Sequence, residues 1–148
     1  MMSKVKSIFK VDASMIPIFT LLIVTGIGIH IASENGNRHS WGIWSVFHVV
    51  CAVAFLILGY FHVKQHAGWF RTLLTGNVKG RGVTMALTIL MLAEIISGVI
   101  LLAVVEGEGS SWGHFHWIAG ILLAVIGTGH YIKRLRRLKK GFRFREQG

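Results

Sequence analysis

The histidines of this chain are the side chains best placed to do chemistry, and their spacing is regular. Residues 48–62 read HVVCAVAFLILGYFH and residues 116–130 read HWIAGILLAVIGTGH, with thirteen residues between the histidines of each run. In a helix such a pair lies roughly 21 Å apart along the axis, and close to four full turns bring both rings to nearly the same side. Neutral imidazole is a good axial ligand for iron, and two axial imidazoles leave the metal no open position. That arrangement favours electron transfer over oxygen binding. The spacing therefore points to two b-type haems, with His48, His62, His116 and His130 as the axial ligands. Small residues fall at matched places between them. Ala52 and Gly120 follow the first histidine of each run by four positions, and Gly59 and Gly127 follow it by eleven. A flat macrocycle needs such small neighbours on the histidine face; close helix packing is the blander reason for them.

Such ligands need elements to hold them, and the composition says where those elements sit. The chain has 148 residues, 53% of them hydrophobic and 15% charged, with a mean hydropathy of +0.60. That is too apolar for an ordinary soluble domain. Four stretches are long enough to cross a bilayer: about 15–32, 43–63, 83–105 and 115–132. Pro17 falls at the start of the first, where a missing N–H costs little. Lys4, Lys6 and Lys10 precede that stretch as in a signal peptide, but no clear small-x-small cleavage site follows, so it is expected to be a mature helix. The single cysteine, Cys51, excludes an internal disulfide and the attachment motif of a c-type haem.

The net charge of +10 could suggest nucleic-acid binding, but its distribution points elsewhere. Fifteen of the sixteen lysines and arginines lie before the first span, between the second and third, or in the basic tail 133–148; Arg38 is the exception. The loops on the other side hold Glu34, Glu106 and Glu108. By the positive-inside rule both termini are cytoplasmic and nucleic acid is not the partner. The tail is also suited to anionic lipid headgroups. Spans two and four then run in the same direction, so equal heights pair: His48 with His116 at the outer level and His62 with His130 at the inner one. The levels would be about 20 Å apart. A histidine-lined site for Zn²⁺, another metal or a proton is the rival reading. A single ion needs its ligands in one sphere, and these pairs are too far apart to share one.

At this point the sequence resembles the bacterial four-helix membrane dihaem cytochromes b, in particular the flavinylation-associated cytochrome family. The residues carrying the likeness are the run His48–His62, its continuation HVKQHAGWF with His66 and Trp69, and the run His116–His130. The resemblance implies bis-histidine haem b at those four histidines. It also implies exchange of electrons between a membrane quinone pool and a redox partner, often an extracytoplasmic flavoprotein.

The remaining polar residues have more than one use. His66, one turn beyond His62, competes with it as ligand or else bonds a propionate, quinone or water. His30 ends the first span near the outer surface, where a propionate or quinone is in reach; His39 and His114 are expected to be solvated or off the ligand face. Glu94 is the one acid inside a span, a costly placement that suggests a proton route linked to quinone chemistry or a hydrogen-bonded structural role. Arg38, Lys64, Arg71, Lys133 and Arg134 are candidate propionate donors. The five tryptophans cluster near span ends as interfacial anchors do. TGIGI in span one, SGVIL in span three, and an SWG before each histidine run suggest a duplicated hairpin.

The expectation is thus an all-α integral membrane four-helix bundle, a single membrane domain over 1–148 in the bacterial cytoplasmic membrane. It would carry two haem b and pass electrons between quinone and a flavoprotein or iron–sulfur partner. Alternatives are a haem-carrying anchor subunit of a larger oxidoreductase, a superoxide:quinone oxidoreductase, and a histidine-lined metal or proton transporter.

Overall fold

A computed structural model describes residues 2–68, 82–104 and 110–146, with side chains over 10–68, 82–104 and 110–135. The structure is all-α. Its four long helices are α1 (Met2–Glu34), α2 (Arg38–Gln65), α3 (Gly82–Ala103) and α4 (Ser111–Glu146). All four are long and apolar enough to cross a membrane, over Lys10–Glu34, Arg38–Gln65, Gly82–Ala103 and Ser111–Leu135. By length and composition this is a multi-pass membrane protein. Trp69, Arg71, Lys79, Arg81, Val105, Glu106 and Glu108 lie outside the described residues, as do the tail side chains from Arg136 onward.

The chain divides into two compact units, Met1–Val78 and Lys79–Gly148. Each is a helical hairpin, α1 against α2 and α3 against α4. In the first, a three-residue link reverses the chain. Gly36 adopts φ +62°, the left-handed conformation that glycine takes without a Cβ penalty. Asn37 N–H donates to Ala32 O at 2.9 Å and closes α1. The Asn37 side chain then caps α2 by accepting from Ser40 N–H at 3.0 Å. Ser110 does the same for α4, its Oγ accepting from Gly113 N–H at 3.0 Å.

The helices run further than the apolar stretches that announced them. Because α1 begins at Met2, Pro17 lies inside the helix and not in its first turn. There its missing N–H removes an internal helix bond. The basic tail is also not separate from the last span: α4 continues unbroken to Glu146.

Burial is inverted relative to a soluble protein. Among the described residues only Thr25, Ala32, Ser97 and Ala119 are buried, and all four are small. Val46, Val50, Leu102 and Val125 are each more than 60% exposed. Small residues at the contact let the backbones approach, and large apolar ones face out, as expected where the solvent is lipid. Hydroxyls on the spans hide their protons within the helix. Thr20 donates to Ile16 O at 3.0 Å and Thr88 to Thr84 O at 2.8 Å.

Candidate metal-ligand histidines

His48 and His116 are held by the same device in the two hairpins. Thr25 Oγ1 of α1 lies 2.9 Å from His48 Nδ1. Ser97 Oγ of α3 lies 2.7 Å from His116 Nδ1. Each hydroxyl is also close to a carbonyl one turn back, Leu21 O at 2.8 Å and Ala93 O at 2.7 Å. A hydroxyl has one proton, and a carbonyl can only accept. Both contacts are favourable only if the hydroxyl donates to the carbonyl and accepts from Nδ1–H. The imidazole proton is then on Nδ1, and the ring's lone pair is on Nε2, which gives that nitrogen the capacity to act as a metal ligand.

Glycine follows each hydroxyl, and a Cβ built at Gly26 or Gly98 would stand 3.5 Å from the Cε1 atom of the facing histidine. The ring therefore lies against bare backbone in both hairpins. Thr25 and Ser97 are buried, at 4% and 0% exposure, so neither hydroxyl exchanges its partner for water. The two hairpins are related by constant offsets. Thr25-Gly26 becomes Ser97-Gly98 after 72 positions, and His48 and His62 become His116 and His130 after 68. The same offset carries Ala52 to Gly120, Gly59 to Gly127 and Trp44 to Trp112. The matched SWG triplets do not follow it, so the repeat lies in the histidine-facing dipeptides and in Trp44 and Trp112.

His62 is held by a different group. Its Nδ1 donates to Asp12 Oδ1 at 2.8 Å, with Asp12 only 14% exposed. His66, at the C-cap of α2, places its ring centroid 4.8 Å from that of His62. Potential ligand atoms of Asp12, His62 and His66 all lie within 4.8 Å of one another. His130 is half-buried on α4.

Glu94 belongs to the His116 site. Its Oε2 lies 3.2 Å from His116 Nδ1, and its carboxyl group is 15% exposed. Its Oε1 is buried with no hydrogen-bond partner among the described residues. A Cβ at Gly120 would stand 3.6 Å from Glu94 Oε2, an ordinary van der Waals contact, so the carboxylate packs against this part of α4. At Gly59 a Cβ would meet nothing within 4 Å. Close packing at Gly28 is of another kind: a Cβ there would come within 2.5 Å of the Trp44 ring, which locks the C-terminal end of α1 against α2.

The structure thus brings His48 to Thr25, His116 to Ser97 and Glu94, and His62 to Asp12 and His66. His48 and His62 belong to one hairpin and His116 and His130 to the other. His30 is half-buried near the end of α1, whereas His39 and His114 are exposed. Lys64 Nζ sits 5.8 Å from the Tyr60 ring centroid, a cation–π placement at the end of α2. Cys51 is a half-buried free thiol.

Three hydrogen-bonding partners of the histidines are not singled out by the sequence: Thr25, Ser97 and Asp12. A signal for the first two existed in the TGIGI and SGVIL segments. Asp12 had none, because its partner is 50 residues away and on another helix. Compared with protein-family models, curated proteins and solved structures, the chain matches none of them.

Proposed function

We propose that this chain is a dihaem b-type cytochrome of a bacterial cytoplasmic membrane, passing electrons between the quinone pool and a redox partner. His48 and His116 would hold the outer haem, and His62 and His130 the inner one. The observation that carries the reading is the duplicated hydroxyl–glycine device at Thr25-Gly26 and Ser97-Gly98. It fixes the Nδ1–H tautomer of two histidines that share the same place in two repeated hairpins. Metal-bound histidines almost always donate their other ring N–H in this way. The donor set fits haem iron: four half-buried imidazoles on apolar helices, with Nε2 as the lone-pair nitrogen at His48, His62 and His116. Bound haem supplies one-electron transfer between ferric and ferrous iron.

The protein's own groups do the rest. Thr25, Ser97 and Asp12 orient the ligand rings, the apolar helix faces keep water away from them, and Glu94 is placed to hold or pass a proton beside His116. Both termini are assigned to the cytoplasm by the distribution of lysine and arginine. The partner fits a flavoprotein or iron–sulfur protein. A haem-carrying anchor subunit and a superoxide:quinone oxidoreductase use the same haem sites and differ in partner.

The test is haem content and the reduced-minus-oxidised spectrum of the purified protein and of its His48→Ala, His62→Ala, His116→Ala and His130→Ala variants. Two haems per chain are expected in the wild type. One haem should be lost from the His48 and His116 variants and the other from the His62 and His130 variants. Absence of b-type bands in the wild type would end the proposal. A second reading, a divalent transition-metal carrier, draws on the Asp12–His62–His66 cluster. Stoichiometric Zn²⁺ binding to haem-free wild type, abolished in Asp12→Asn and accompanied by no haem binding, would favour it.

A further inference from the structure

Helix α1 presents a hydrogen-bond acceptor at two levels, Thr25 toward His48 and Asp12 toward His62. The acceptors are thirteen residues apart and the histidines fourteen. On antiparallel helices both separations come to about 20 Å, so one register satisfies both contacts. Phe19 of α1 and Phe55 of α2 stack midway, with centroids 5.7 Å apart, and hold that register.

The two levels differ chemically. Thr25 offers a neutral hydroxyl that already donates to Leu21 O. Asp12 offers a carboxylate, and a hydrogen bond to an ionised acceptor is roughly twice as strong as a neutral one. A stronger pull on the Nδ1 proton makes Nε2 a better electron donor to a metal. The second hairpin does not repeat the acid at the matching position; its own carboxylate, Glu94, stands instead 3.2 Å from His116 Nδ1. The offset that carries Thr25 to Ser97 carries Asp12 to Thr84. His66 lies four residues beyond His62 on the same side of α2, so this end of the helix offers two imidazoles for one role.

Resting on the haem reading above, we propose that Asp12 is the positioning residue of the inner site: it selects His62 over His66 as ligand and, by holding the His62 Nδ1 proton, lowers the reduction potential of the haem bound there. A carboxylate-backed imidazole stabilises the ferric state relative to a neutral-backed one. The carboxylate is therefore an electronic setting as well as a structural clasp, and the matching position of the second hairpin, Thr84, carries no acid.

The test uses full-length protein in lipid nanodiscs, with potentiometric titration of the haem bands, haem content and helix content for each variant. Asp12→Asn keeps size and shape but offers a neutral acceptor. It is expected to shift one of the two midpoint potentials upward and leave the other in place. Asp12→Glu should restore the shifted potential. His66→Ala should retain both haems with the wild-type spectrum. Loss of one haem in Asp12→Asn, with helix content unchanged and rescue by Asp12→Glu, would also support the assignment. Two unchanged potentials in Asp12→Asn would overturn it, as would loss of the inner haem from His66→Ala together with its retention in His62→Ala. A wild type without b-type bands would overturn the haem reading before any of these variants is compared.

Discussion

Replacing Thr25 with valine removes one hydroxyl and keeps the shape of the side chain, so it isolates the contact to His48. Three terms are affected. The bond from Thr25 to Leu21 O is lost, at little cost, because that carbonyl also takes part in the helix ladder. The 2.9 Å contact to His48 Nδ1 is lost, a net of about 0.5–1.5 kcal/mol for one intramolecular hydrogen bond. The third term is orientation. With no acceptor at Thr25, the ring is no longer held in the Nδ1–H tautomer by that hydroxyl. Removing such a partner of a metal-bound histidine typically weakens metal binding about 10–100-fold, or roughly 1.4–2.7 kcal/mol. The assay is haem titration of haem-free protein in detergent, read by the growth of the b-type bands. Thr25→Val should bind one haem with wild-type affinity and the other 10–100-fold more weakly, with Thr25→Ser restoring it. Thr20→Val is the matched control, since Thr20 makes the same bond to its own helix, to Ile16 O, and is exposed. If Thr25→Val and Thr20→Val both titrate like the wild type, the hydroxyl does not set the ligand and the reasoning from the repeated device fails.

Other outcomes follow from the same geometry. Gly28→Ala forces a methyl into the Trp44 ring, at 2.5 Å before relaxation, and should destabilise the first hairpin by about 1–3 kcal/mol in a denaturation series. Gly59→Ala meets no such neighbour; the haem-free protein should be as stable as wild type or gain up to about 1 kcal/mol from helix propensity, so a loss of bound haem in this variant would mark the face the macrocycle uses. Gly36→Ala places a Cβ in the left-handed region at φ +62° and should cost about 1–2 kcal/mol in thermal stability. Glu94→Gln keeps the volume beside His116 and Gly120 and should leave haem content unchanged while slowing quinone-linked turnover; equal turnover in both proteins would remove Glu94 from any proton route.

Much of this protein is legible along the chain because its solvent is uniform. Each helix that crosses a hydrocarbon layer must satisfy its own backbone bonds and show apolar side chains, so a long apolar run is enough to find it. The four helices and the histidine spacing were readable for that reason. Their ends were less so, because backbone bonding continues where hydropathy stops. α1 starts at Met2 and encloses Pro17, and α4 carries the basic segment to Glu146. The repeat was visible in outline, but SWG was the wrong anchor. Trp44 and Trp112 keep step with the histidines, and Trp41 does not.

The partners of the histidines were decided only by the fold. Thr25, Ser97 and Asp12 look in sequence like polar interruptions of apolar helices. Their meaning depends on a residue 23, 19 or 50 positions away on a second helix. That distance is closed by the antiparallel register of each hairpin, which packing between small residues sets and no local pattern encodes. Spacing along the chain determined which side chains share a helix face. Tertiary contact determined which imidazole nitrogen keeps its proton, because that choice belongs to whatever group stands opposite the ring.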